Sequence, residues 1–363
     1  PENDVPAHSL ALIASYPNLS CTQLPYSVNA GFHTPERQDN VLCIGNDSVY
    51  TMLDKIFTEL AALFPSEYLH IGGDEANKGF WANCPKCRKR MADEHLDNVN
   101  ELQSYFVKRI EKMLKSKGKK MIGWDEILEG GLAPGIPVMS WRDQRGNGIQ
   151  SAADAARSGH QVVVTPHSAA YLDLYQGDPV IEPFTYGQVR LKTCYEMEPV
   201  PEGADEKQIL GGQGNLWTEA VPNNRHAEYM TWPRGLALAE TFWSQKQNRS
   251  WPDFIKRMEW QFQRLDAAQV KYARSAYDAI ISAVKGSDDS LKVKLETEIP
   301  GIDIYYTFDG TNPDNFYPVY EGSPLDIPTG ASEIRVITYR DGKPVGKQIN
   351  FMLDGLKKRL PKS

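Results

Sequence analysis

The sequence has no run of about 18 apolar residues, the least a helix needs to cross a bilayer, so no segment reads as a membrane span. It has no excess of basic residues either. Its 40 Lys and Arg against 47 Asp and Glu leave a net charge of −7, the wrong sign for a face that binds nucleic-acid phosphates. Cysteine is scarce, with Cys21, Cys43, Cys84, Cys87 and Cys194 alone. Cys84-Pro-Lys-Cys87 looks like half a zinc knuckle. A structural zinc needs four ligands, and no second C-x-x-C or H-x-x-x-H follows at finger or ribbon spacing, so no metal is expected. Cys21 and Cys43 could pair, but two cysteines across a loop do not establish a disulfide. Aromatics, by contrast, are plentiful: 8 Trp and 17 Tyr suit both a core and the stacking of sugars.

At 363 residues the chain can hold one large domain and one small one. One stretch organises it, Tyr68-Leu-His-Ile-Gly-Gly-Asp-Glu-Ala76. This reads as a short apolar strand that stops at two glycines and presents Asp74 and Glu75. Such a pair can open a helix as cap residues. At the carboxyl end of a strand it stands where α/β barrels keep their chemistry. Apolar residues at helical spacing predict helices over about 46–64, 99–117, 148–158, 224–243 and 251–267. Between them run strands ending near Gly72, Gly123, Ser140, Thr165 and Asn215, with loops expected after His8 to Asn46 and over 174–207, and a loop with short helical turns over 81–98.

Alternating strands and helices indicate parallel βαβ units. Either the sheet is open, or this is a (β/α)8 barrel whose first strands are absent from this chain. Pro1–His8 reads as the end of a strand entering its loop, and polar and aromatic residues stand at every strand end, which favours the barrel. From about Asp288 the pattern changes to period two, as in Leu291, Val293 and Leu295, with Asp309-Gly310 and Asp341-Gly342 as hairpin turn signals. The fold expected is therefore α/β over residues 1–275, a small antiparallel β-sandwich over 276–354, and a frayed basic tail over 355–363.

Asp74, Glu75, Trp124, Asp125, Glu126, Trp141, Arg142, Tyr171, Asp173, Trp217 and Glu219 all fall at predicted strand ends. Tryptophan rings cover apolar sugar faces and carboxylates accept from hydroxyls, so the set suits a neutral polyol. His70-Ile-Gly-Gly-Asp-Glu75 resembles the signature of the family 20 glycoside hydrolases, the β-N-acetylhexosaminidases. The similarity runs on through Pro1-Glu-x-Asp-x-Pro-x-His8, Tyr16-Pro-x-Leu-Ser-Cys21, Gly123-Trp-Asp-Glu126, Tyr171-Leu-Asp173, Leu216-Trp-x-Glu219 and Pro233-Arg-x-x-Ala-Leu-Ala-Glu240. The tail around Tyr306-Thr-Phe-Asp-Gly310 is similar to the small β domain that follows the barrel in many bacterial members.

The resemblance implies an exo-acting, retaining hydrolase of oligosaccharides or glycoconjugates ending in β-linked N-acetylglucosamine or N-acetylgalactosamine, working without metal or cofactor. Adjacent carboxylates are poorly placed to flank one anomeric carbon. The family instead uses the 2-acetamido oxygen of the substrate as nucleophile. Glu75 then matches the general acid/base, which needs a closed apolar pocket and the neighbouring Asp74 charge to hold its proton. Asp74 matches the residue that orients the acetamido N–H and stabilises the oxazolinium, Tyr171 a donor to the acetamido oxygen, and His8 a histidine bonded to the acid. Trp124, Trp141 and Trp217 match ring walls, and Asp173 and Glu219 acceptors for outer hydroxyls. His70 reads as structural. The family's sugar-binding arginine and the acid behind its histidine lie on strands expected outside this chain, and the missing N-terminal part of the same protein is a possible partner. Asn3 and Ala7 stand where an apolar residue and a glycine are usual. An extracytoplasmic location is expected. The competing readings are an inactive N-acetylhexosamine-binding module and a zinc-binding adaptor built on Cys84 and Cys87.

Overall fold

A computed structural model describes residues 1–28, 41–143 and 150–361, with the backbone alone for 150 and 151. Its internal contacts divide the chain into two compact units, Pro1–His167 with Pro199–Gln213 and Ser168–Glu198 with Gly214–Ser363.

The first unit carries five parallel strands, β1 (Tyr68–His70), β2 (Lys120–Trp124), β3 (Val138–Ser140), β4 (Val162–Val164) and β5 (Ile209–Gly212), hydrogen-bonded in sequence order. Pro1–Val5 adds an edge to β1: Glu2 bridges His70 in parallel, and Asn3 and Val5 donate to the carbonyls of His70 and Ile71 at 2.9 and 2.8 Å. This is the α/β barrel order the sequence predicts, and among the described residues the sheet does not close into a ring.

The helices of the unit are α1 (Leu10–Ser15), α2 (Asp47–Leu63), α3 (Lys78–Asn83), α4 (Pro85–Asp93), α5 (Val99–Ser116) and α6 (Gln150–Arg157). Asn46 caps α2 by accepting from Ser48 N–H at 3.2 Å, and Asn98 caps α5 by accepting from Asn100 and Glu101. Val49, Leu53 and Phe57 of α2 and Phe106, Ile110 and Leu114 of α5 join Leu69, Ile71 and Met121 in one core. The loop expected after His8 contains α1, and the loop with short helical turns expected over 81–98 holds the end of α3 and the whole of α4. Hydrophobic periodicity misses α4 because Cys87 is the one residue it buries.

In the second unit, Tyr171 bridges Asn215 in parallel. The helix expected over 224–243 is two, Asn224–Thr231 and Arg234–Trp243. Pro233 supplies no N–H, so the ladder cannot run through it. Strands β6 (Ile280–Lys285) and β7 (Leu291–Glu296) form a hairpin, while β8 (Asp303–Thr307), β10 (Lys343–Pro344) and β11 (Ile349–Met352) pair antiparallel with or along β9 (Glu333–Arg340). The sequence reading overlooked β6, which holds the weak strand formers Ser282 and Ala283, and the four-residue β11.

Asp341-Gly342 makes the tight β9–β10 hairpin, with φ of 51° and 70°. Asp309-Gly310 does not make a hairpin. Asp309 Oδ1 accepts from Thr311 N–H at 2.9 Å, a local turn, and β8 pairs with the distant β9. The basic tail is not frayed through its described length either. Leu353–Arg359 is a 3-10 helix, Leu356 is fully buried, and Arg359 bonds Asp178 Oδ1 at 2.8 Å.

Candidate active site

Beyond β1 the chain turns through Gly72 and Gly73, both at positive φ, and sets down Asp74 and Glu75. The glycines are required by contact as well as by conformation. A Cβ on Gly72 would lie 1.7 Å from Asp4 Oδ1, and one on Gly73 would lie 2.5 Å from Ile127 Cγ2. Asp4 thus occupies the space that a side chain at 72 would fill, and its Oδ1 accepts from Gly73 N–H at 3.2 Å. Gln103 Nε2 donates to the Gly73 carbonyl at 2.9 Å and fixes the turn from the helix side.

His8 stands over this turn. Its Nε2 is 3.4 Å from Asp74 Oδ2 and 3.3 Å from Glu75 Oε2. His8 and Glu75 both have φ of 47°, a left-handed backbone that non-glycine residues seldom hold outside tightly determined sites. Hydrogen bonds to Asp74 and then Glu75 raise the His8 imidazole to about 11, against the pull of burial. Burial and then the Asp74 charge push the Asp4 carboxyl up to about 9. At neutral pH the group therefore contains an imidazolium and a protonated Asp4. Asp74 is largely buried, its Oδ1 is reached by no N–H group among the described residues, and the Asp4 carboxyl is its side-chain hydrogen-bond neighbour. The closed apolar surrounding expected for Glu75 is not seen. Its side chain is 56 % exposed.

Trp124 and Trp141 sit differently from each other. Trp124 is only 2 % exposed, packs edge-on to His70 with centroids 4.8 Å apart, and donates from Nε1 to Glu2 Oε1 at 2.9 Å. Its ring faces are packed rather than open. Trp141 is half-buried and donates from Nε1 to Glu126 Oε2 at 3.0 Å. Burial, then the Asp125 charge, raise Glu126 to about 8. Arg142 spans this corner from Asp125 Oδ1 at 2.7 Å to Glu129 Oε1 at 3.0 Å. His70 is a buried strand residue whose Nδ1 accepts from Gly72 N–H at 3.1 Å.

The second unit gathers Tyr171, Asp173 and Trp217. Tyr171 is buried and meets Trp217 edge-on at 6.0 Å. Asp173 Oδ2 accepts from Tyr186 Oη at 2.6 Å, while its buried Oδ1 has no partner among the described residues. Burial raises its carboxyl above the usual range. Glu219 is exposed.

Sequence reasoning gave no role to Asp4, Glu2 or Tyr186. Asp4 and Glu2 lie inside a motif that was visible, but only the fold shows that they bond residues about seventy and more than a hundred positions away. Among the described residues, two groups could hold a metal: Asp4, His8 and Asp74, and separately Cys21, Cys43, Cys84 and Cys87. The second corrects the view that Cys84 and Cys87 lack partners. The partners lie upstream and are not a C-x-x-C pair.

A carboxylate pair at the carboxyl ends of sequential parallel strands is an α/β-barrel arrangement. The description "Glycosyl hydrolase family 20, catalytic domain" matches residues 1–246, and "Fn3 associated" matches 293–353. The chain belongs to glycosyl hydrolase family 20. It is 39 % identical over 93 % of its length to a beta-hexosaminidase of Porphyromonas gingivalis, and 37 % identical over 66 % of its length to one of Vibrio furnissii. It spans 43 % and 39 % of those relatives, less than half of either. The solved structure of a family 20 exo β-N-acetylglucosaminidase from Vibrio harveyi, in complex with N-acetylglucosamine, is similar with a TM-score of 0.66 and 33 % identity. That match covers 75 % of this chain and 43 % of the other.

Proposed function

We propose that this chain carries catalytic strand ends of an exo-acting, retaining glycoside hydrolase that releases terminal β-linked N-acetylglucosamine or N-acetylgalactosamine by substrate assistance. The observation that carries the reading is a buried Asp74 Oδ1 that no N–H group among the described residues reaches, beside a solvent-facing Glu75. An acceptor in that state costs about 1–3 kcal/mol unless something donates to it, and an acetamido N–H is such a donor. The relatives' names, and the N-acetylglucosamine bound to the Vibrio harveyi enzyme, support the substrate class.

In this reading Asp74 Oδ1 accepts from the acetamido N–H and turns the acetamido oxygen toward C1. Glu75 gives its proton to the leaving oxygen as the C1–O bond breaks and the acetamido oxygen bonds C1. The Asp74 carboxylate then faces the positive charge of the oxazolinium. Glu75, now ionised, takes a proton from the water that opens the ring, and configuration is retained through two inversions. His8 holds both carboxylates from one nitrogen, and Asp4 keeps its proton so that no second anion repels Asp74. Asp173, with its own unpartnered Oδ1, has the part of an acceptor for a sugar hydroxyl.

The test is hydrolysis of an aryl β-N-acetylglucosaminide beside its analogue lacking the 2-acetamido group. Turnover of the first alone is expected; equal rates on both would sink the mechanism. The open five-stranded sheet favours one competing reading, a module that binds N-acetylhexosamines without cleaving them. Calorimetric binding of N-acetylglucosamine with no turnover would support it instead.

A further inference from the structure

Four of the five cysteines converge in the first unit, though their spacing in sequence shows no metal pattern. Cys21 follows the turn Pro17–Leu19. Cys43 lies on the returning chain, which is pinned by the Ser20–Leu42 bridge and by Cys43 N–H donating to the Leu19 carbonyl at 2.8 Å. Cys84 and Cys87 stand at the N-cap and in the first turn of α4. All are free thiols, three are buried, and their sulfurs lie within 4.8 Å of one another.

The distances discriminate between chemistries. Cys43 Sγ is 3.6 Å from Cys84 Sγ and 3.8 Å from Cys87 Sγ, and Cys21 Sγ is 3.8 Å from Cys87 Sγ. A disulfide needs about 2.05 Å. Four sulfurs each about 2.3 Å from a central zinc stand about 3.8 Å apart along the tetrahedron's edges. The three distances of 3.6 to 3.8 Å are those of such edges.

The surroundings agree. A Cβ on Gly45 would fall 2.3 Å from the Lys86 carbonyl carbon and 2.5 Å from Cys87 N, so the Cys43–Gly45 backbone lies directly against the Cys84–Cys87 turn. Gly45 N–H donates to the Cys87 sulfur. Cys84 and Cys87 also lie at the N-terminal end of α4, where the helix dipole favours negative charge. Exposed Lys86, Arg88 and Lys89 flank the cluster and offset the two negative charges of a tetrathiolate zinc.

We propose that Cys21, Cys43, Cys84 and Cys87 bind one structural zinc ion. Four thiols give up four protons, four Zn–S bonds form, and nothing is oxidised or reduced. Oxygen-seeking calcium or magnesium has no ligand here, and four sulfur ligands leave no open position for catalysis. The ion joins the segment that follows His8 to the helices that follow Glu75. It is thus a staple behind the strand ends rather than a participant in the reaction.

The experiment is metal analysis of the full chain after exhaustive dialysis. One zinc per chain is expected, unchanged in Cys194→Ser and absent in the double variant Cys84→Ser, Cys87→Ser. Because that double variant could fail to fold, the unsubstituted chain is also exchanged with cobalt. The ligand-field and thiolate-to-cobalt charge-transfer bands of a tetrahedral tetrathiolate site are expected. No stoichiometric metal, iron in place of zinc, a cobalt spectrum without thiolate character, or an intact mass showing disulfides among these four would each overturn the proposal.

Discussion

His8 stands between two carboxylates, whereas Arg234 stands among four carbonyl oxygens. His8 lies in the first unit, its side chain 27 % exposed and its Nε2 within 3.4 Å of Asp74 and Glu75. Arg234 lies in the second unit and is wholly buried. Its Nη1 donates to the carbonyls of Leu174 and Val189 at 3.0 and 2.8 Å, and its Nη2 to those of Leu172 and Met230. Burial lowers its guanidinium to about 10. The carbonyls of residues 172 and 174 flank Asp173, so Arg234 fastens the backbone on either side of that acid. The difference separates two uses of a cation. One is held by charges that chemistry can change, the other by neutral dipoles that hold a loop still.

That contrast breaks most sharply at Glu75. Replacing it by Gln keeps its shape and its place near His8 but removes the exchangeable proton. Turnover of the aryl substrate is expected to fall by about 10²–10⁴-fold, with the urea midpoint of unfolding nearly unchanged. Arg234→Met should do the reverse to stability. With four buried carbonyls left without their donor, the second unit loses several kcal/mol, at about 1–3 kcal/mol for a buried acceptor left unsatisfied. Urea unfolding measures this, and a loss below about 1 kcal/mol would mean that water replaces the guanidinium.

The pH dependence sharpens the comparison from the side of His8. Its folded pKa near 11 lies above the usual 6.5. The stability it contributes is therefore whole below the unfolded value and is lost as pH rises through the folded one. Urea midpoints of the parent chain should decline between about pH 6.5 and 11 more steeply than those of His8→Asn. Parallel curves would show that the imidazole is not held by its neighbours. Last and smallest, Tyr186→Phe removes one donor from Asp173. The expected cost is about 1 kcal/mol, read as a several-fold rise in KM with kcat little altered.

The two cations also mark how far a sequence can be read. The parallel strands and the helices around them were legible because their apolar periodicity is local, and Asp74 and Glu75 because two glycines end a strand just before them. His8 was found only through a motif. Arg234 lay in a visible motif yet carried no sign that four carbonyls 4 to 62 residues away would surround it. Asp4 was hidden for a similar reason, since its raised pKa follows from a space opened by Gly72, far along the chain. The cysteines were misjudged by looking downstream of Cys84 for partners that the turn after Leu19 supplies. Contacts of long sequence separation leave no periodic trace, and those contacts make the site.

Asp4 has one further consequence. While Glu75 holds the proton it gives to the leaving oxygen, the neutral Asp4 carboxyl, the His8 imidazolium and the Asp74 carboxylate sum to no net charge, so these four groups exert little field at a distance even though all are ionisable. An uncharged sugar needs no steering by such a field, and dissolved salt has nothing long-ranged to screen. KM for a neutral aryl glycoside should accordingly stay level from dilute buffer to high ionic strength, and a marked slope would reveal a charge state other than this balanced one.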